Sequence, residues 1–158
     1  SVDYGVFKTG WIIGEDVFVR TPINGNGSWG LSLSLIDVYF RNYGMWDFRF
    51  ECFDFGNKKQ GYDFAGGLST NLGVLVPIKL KAVSIVPYIK AGPAFHGSED
   101  DVALLVCGYG GLKLGYKFKN TRMTLLLDAH YAYRYMAAGS VQDNFNPHTI
   151  EAGIGFAY

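Results

Sequence analysis

The chain has 158 residues, room for one domain, which we read as running through residues 1–158. Its 14 Lys and Arg balance 14 Asp and Glu, so the basic footprint of a nucleic-acid partner is missing. Charged residues are only 18% and aromatics 16%, and no run of about 18 apolar residues offers a transmembrane helix.

The dominant pattern has period two, so each strand presents two faces. Tyr4–Ile13 directs Phe7, Thr9, Trp11 and Ile13 one way and Lys8 the other, and Ile13–Ser28 follows as a long loop. Trp29–Phe40 sets Trp29, Leu31, Leu33 and Leu35 against Gly30, Ser32 and Ser34, with Asp37 an exception on the apolar face. After a short turn at Asn42–Asp47, Phe48–Phe55 alternates Phe48, Phe50 and Cys52 with Arg49 and Glu51. The pattern then flips, and a β-bulge near Cys52 would restore one apolar face and move Asp54 to the polar one.

Beyond the short connector Gly56–Gly61, Tyr62–Val76 sets Tyr62, Phe64 and Leu68 against Asp63, Ser69 and Asn71. Pro77–Lys81 is a short turn, and Val83–Gly92 sets Val83, Ile85 and Ile89 against Ser84, Tyr88 and Lys90. Phe95–Asp101 reads as a longer loop. Leu104–Phe118 then sets Leu112, Leu114, Tyr116 and Phe118 against Cys107, Tyr109 and Lys113. The turn Lys119–Arg122 leads into Met123–Tyr135, where Leu125, Leu127, Tyr131, Tyr133 and Tyr135 oppose Asp128, His130 and Arg134. The loop Ala137–Pro147 precedes His148–Tyr158, where Ile150, Ile154, Phe156 and Tyr158 oppose Thr149 and Glu151.

These segments predict an all-β fold: a closed, antiparallel, up-and-down transmembrane β-barrel of about eight strands with a polar, plugged interior. Short turns at one end and longer loops at the other suit that layout. The apolar face is nearly free of charge, as a lipid-facing band must be, because Lys or Arg at mid-membrane costs about 2–4 kcal/mol. Aromatics gather at both of its ends: Trp11, Trp29, Tyr62, Tyr133 and Tyr135 near the long loops, and Tyr39, Phe48, Tyr116, Phe118 and Phe156 near the short turns. Such rings suit the two headgroup levels. The opposite face mixes small residues with Arg49, Glu51, Asp54, Asp63, Lys90, Lys113, Asp128, His130, Arg134 and Glu151. A narrow barrel has room only for its own side chains, so these charges must pair inside it. A soluble lipocalin-like barrel, with the apolar face inward, is the alternative.

Two segments resemble the small outer-membrane β-barrel superfamily of the OmpA, OmpX and OmpW kind. Val86-Pro87-Tyr88-Ile89-Lys90-Ala91-Gly92-Pro93-Ala94-Phe95 is similar to its "PY-x-x-AG-x-x-F" strand, and Ile150-Glu151-Ala152-Gly153-Ile154-Gly155-Phe156-Ala157-Tyr158 to its closing strand. The resemblance implies residence in the outer membrane of a Gram-negative bacterium, among lipid and lipopolysaccharide. It also implies that Ile154, Phe156 and Tyr158 form the signal read by the barrel-assembly machinery. PagL-type lipid A deacylases share the first strand, and their motif is a His, then Ser two residues later, then Asn. Here His130 is followed by Ala132, which offers no hydroxyl to activate.

Among other candidates, His130 is either a general base or pH-sensitive gate, or a hydrogen-bonded member of the plug, and we favour the plug. Cys52 and Cys107 fall on opposite faces, so no disulfide is expected between them. Glu99, Asp100 and Asp101, and Asp143, Asn144, Asn146 and His148, are oxygen-rich loop segments whose spacing matches no calcium motif. Gly108, Gly110, Gly111 and Gly115 make no dinucleotide fingerprint, because no helix follows. No cofactor or metal is expected. The expectation is a non-enzymatic barrel that supports the envelope or binds a protein partner through its outer loops, with a narrow pore as runner-up and a lipid A-modifying enzyme third.

Overall fold

The computed structural model describes residues 12–22, 30–40, 43–52, 66–97, 102–121, 123–139 and 148–157. They form β1 (Ile12–Pro22), β2 (Gly30–Phe40), β3 (Gly44–Cys52), β4 (Gly66–Leu75), β5 (Ile78–Leu80), β6 (Val83–Gly97), β7 (Val102–Lys117), β8 (Thr124–Ala138) and β9 (His148–Ala157). All pairings are antiparallel, each between chain neighbours except that β4 pairs with β6 and that β1 also pairs with β9, which closes the ring. β4 and β5 both pair with β6, Leu75 facing Tyr88 and Ile78 facing Ile85, so together they make one interrupted stave. The result is an eight-staved, up-and-down barrel whose first and last described strands pair with each other.

Both prolines of β6 lie where its ladder to β4 and β5 lapses. Pro87 faces the break between Leu75 and Ile78, and Pro93 lies beside Thr70 and Asn71, which have no register partners in β6. A residue without an N–H is tolerated where no ladder bond is needed. At the second lapse the two backbones approach so closely that a Cβ on Gly92 would fall 1.8 Å from the Thr70 carbonyl oxygen.

The polarity is inverted relative to a soluble barrel. Leu72, Ile89, Val106, Leu127 and Ile154 point outward and are exposed, whereas Asp47, Arg49, Lys113, Arg134 and Glu151 are buried in the lumen. The lipocalin-like arrangement is thereby excluded. The polar lumen is bounded toward the short turns by Met45, Leu75, Val86 and Leu126, and toward the loops by Ala94, Leu105, Cys107 and Ala132.

Several boundaries differ from the sequence reading. The first described strand is Ile12–Pro22, so residues 13–22 of the expected loop Ile13–Ser28 are strand, while residues 4–11 of the expected first strand lie outside the described residues. Charged Glu15, Asp16 and Arg20 look like loop residues, but this stretch pairs on both sides. β3 begins at Gly44, which takes Asp47 out of the expected turn and into the wall. Ile78–Leu80 is strand, leaving Lys81 and Ala82 as the tight turn, with Lys81 at φ 57°. β6 continues to Gly97, so Phe95, His96 and Gly97 of the loop expected at Phe95–Asp101 are strand.

Shifts of register occur at Gly14/Asp16, Ser34/Ile36 and Leu104/Leu105. The second places the backbone of Asp37 opposite Asp47, and the Asp37 side chain lies outside the described set. The bulge expected near Cys52 borders residues 53–65, outside the described residues.

Candidate functional site

The lumen network is the densest polar assembly among the described residues. Glu151 of β9 is its hub. Arg49 Nη2 donates to Glu151 Oε2 at 2.7 Å, and Arg134 Nη2 donates to Oε1 at 2.6 Å. Arg134 Nη1 also donates to Thr149 Oγ1 at 2.6 Å. Nε2 of His130 lies 2.6 Å from Glu151 Oε2, and its Nδ1 lies 2.9 Å from Asp128 Oδ1. Period two explains the grouping: Asp128, His130 and Arg134 are even-numbered neighbours on β8, and His130 sits directly opposite Glu151.

Asp128 is the second hub. Lys113 Nζ is 3.1 Å from its Oδ2, and the Tyr88 hydroxyl donates to its carboxylate at 2.8 Å. The third is Asp47, which pairs with Lys90 and accepts from Asn71 Nδ2 at 2.7 Å. Thr70 Oγ1 donates to the Asp47 carbonyl at 3.1 Å and accepts from Trp46 Nε1 at 2.7 Å. Tyr109 fills the space between hubs: Arg49, Lys90 and Arg134 lie 5.0, 5.2 and 5.8 Å from its ring centre. These are cation–π distances, and the ring's negative face supplements three carboxylates that answer four described cations.

Gly111 makes the centre possible. It sits opposite His130, and a Cβ there would fall 2.3 Å from His130 Cβ and 2.5 Å from the Ala129 carbonyl oxygen. Any larger residue would push β7 away from β8 where the histidine bridges the two carboxylates.

Of the expected lumen residues, the structure brings together Arg49, Lys90, Lys113, Asp128, His130, Arg134 and Glu151. Glu51 lies in β3 with its side chain outside the described set, and Asp54 and Asp63 lie outside the described residues. Asp47 is a site residue that the sequence reading placed in a turn, and Asn71, Tyr109 and Thr149 were placed on the polar face without a role in the network. Asp47 had a signal: Trp46, Phe48 and Phe50 alternate with Met45, Asp47 and Arg49, which extends the strand backward.

At the rims, Tyr133 and Tyr135 are exposed on the loop side, and Tyr116, Phe118 and Phe156 on the turn side. The rings of Tyr116 and Phe118 meet edge-on at 5.4 Å. The backbone of Tyr39 pairs with Met45 beside the turn. Phe48 lies four residues into β3, opposite Ile36, deeper than the rim position expected. Trp11, Trp29, Tyr62 and Tyr158 lie outside the described residues. Ile154 is exposed between its register partners Val17 and Leu127.

As chemistry, the network is a set of buried ion pairs. His130 has carboxylate partners, but Ala132 is fully buried and carries no nucleophilic oxygen. Cys107 is buried in the lumen, while the Cys52 side chain is outside the described set.

No family model matches the chain, and no curated protein matches it. Among solved structures, Neisserial surface protein A aligns at 14% identity and a TM-score of 0.62, covering 94% of this chain and 96% of that one. The N-terminal β-barrel domain of Pseudomonas aeruginosa OprF aligns at 17% identity and a TM-score of 0.47, covering 92% and 95%. Ail, the attachment invasion locus protein of Yersinia pestis, aligns at 16% and 0.42, covering 94% and 95%. The first likeness spans nearly all of both chains, and this protein has the fold of the small outer-membrane β-barrels.

Proposed function

We propose that the chain is an integral outer-membrane protein of a Gram-negative bacterium, a closed barrel that supports the envelope and meets a partner through its loops without a chemical step of its own. The observation that supports this reading is the inverted polarity. Between the rims, the described Asp, Glu, Lys and Arg side chains are buried in the lumen, and large apolar side chains are exposed outside. Water would penalise that outer surface, and hydrocarbon would accept it. The ion-paired lumen, packed around Tyr109 and His130, favours a plug over a conduit for solutes.

Boiled and unboiled samples of the detergent-folded protein should migrate differently on a gel, and the protein should be insoluble without detergent. In planar bilayers it should give no discrete conductance steps, and its co-expression should leave the mass of lipid A unchanged. A soluble monomer without a shift refutes membrane residence. Conductance steps would make the protein a pore, and altered lipid A would make it an enzyme.

A further inference from the structure

The described Lys and Arg side chains divide into two groups. Arg49, Lys90, Lys113 and Arg134 are buried in the lumen. The other four, Lys79, Lys81, Lys117 and Lys119, are exposed and line one groove of about 200 Å³ at the short-turn end. The tight turns build it. Lys81 sits at the apex between β5 and β6, and Asn120 at φ 59° bends the chain after β7. The Lys117 amide donates to the Ala82 carbonyl at 3.1 Å, which ties the two turns together. The described Asp and Glu side chains, Asp47, Asp128 and Glu151, are all in the lumen.

Two further features qualify the groove for an anionic ligand with a tail. Thr124 lines it, is 3% exposed, and its Oγ1 has no hydrogen-bond partner among the described residues. A hydroxyl in that position can donate to a phosphate oxygen. Beside the lysines, Leu80, Val83, Tyr116 and Met123 present exposed apolar surface on the outer wall. Cations adjoining an apolar, membrane-facing wall suit a headgroup with its acyl chains.

We propose that this groove binds the anionic headgroup of a phospholipid in the periplasmic leaflet, with the Lys79, Lys81, Lys117 and Lys119 ammonium groups and the Thr124 hydroxyl around the phosphate. The inference rests on the outer-membrane reading above. It gives the barrel a lipid preference at the end where short turns leave little else to contact.

The test uses the whole chain, folded into phosphatidylcholine vesicles with and without phosphatidylglycerol, then extracted gently and weighed by native mass spectrometry. Wild type should retain phosphatidylglycerol over phosphatidylcholine. The Lys79→Gln/Lys81→Gln/Lys117→Gln/Lys119→Gln variant should lose at least about tenfold of that preference, and the four Lys→Arg changes should preserve it. Should the fourfold variant fail to fold, Lys79→Gln/Lys117→Gln gives the same reading at smaller amplitude. A variant that shows the heat-dependent gel shift and still retains phosphatidylglycerol like wild type overturns the proposal. So does displacement of the lipid by inorganic phosphate or by peptidoglycan fragments, which would make the groove a site for those anions. If wild type shows no gel shift and enters no vesicle, the outer-membrane reading fails, and this inference fails with it.

Discussion

Replacing Glu151 with Gln keeps the side-chain volume and removes one charge from the centre of the lumen. Two guanidinium nitrogens lie 2.7 and 2.6 Å from this carboxylate, which is 0% exposed. With charge centres about 4 Å apart and an effective dielectric near 20, each attraction is about 4 kcal/mol. Gln restores part of this, because it accepts one hydrogen bond and relieves the desolvation of the carboxylate. Arg134 keeps its bond to Thr149. The balance is a loss of about 3–5 kcal/mol, the range for a buried pair that loses one partner. The assay is reversible guanidinium unfolding in vesicles, followed by tryptophan fluorescence. Adding Arg49→Met to Glu151→Gln should recover part of the loss, because it removes one orphaned cation. A loss below about 1 kcal/mol for Glu151→Gln would refute the claim that Glu151 is the hub.

Other predictions follow from the same geometry. Arg134→Leu should lower the temperature at which the compact gel band disappears, because Glu151 and Thr149 both lose a donor; an unchanged temperature would separate the ion pair from stability. Gly111→Val should abolish the compact band or slow its appearance, since the added carbons collide with the backbone of β8, whereas a freely folding variant would mean that the strands can part there. Tyr109→Leu removes the ring that three cations face and should cost about 2 kcal/mol in the same unfolding assay. Ile89→Lys, on the outer wall, should cost about 2–4 kcal/mol in a bilayer, and a neutral result would place that position in water.

Alternation made most of the wall legible in the sequence. In β7 and β8, Cys107, Tyr109, Lys113, Asp128, His130 and Arg134 all fall on one face and all are buried. The losses have two physical sources. Charge was read as loop in β1, although the stretch that carries Glu15, Asp16 and Arg20 is paired on both sides. Bulges were the other source: the shift between Ser34 and Ile36 moves Asp37 into register with Asp47, and period-two counting cannot locate such a shift without the neighbouring strand. The partners within the lumen were illegible for a related reason. Alternation says which face a residue takes, but closure of the ring decides that Arg49 of β3 meets Glu151 of β9, across 102 residues of chain.

The central claim is that the charged face is inside and the apolar face meets hydrocarbon. Spin labels placed singly at Leu72, Ile89, Leu127 and Ile154, with the protein in phospholipid bilayers, test it most directly. The account predicts frequent collisions with dissolved oxygen and almost none with a water-soluble nickel chelate at all four positions. Labels that meet the nickel chelate and not oxygen would show that this wall faces water and that the barrel has been read inside out.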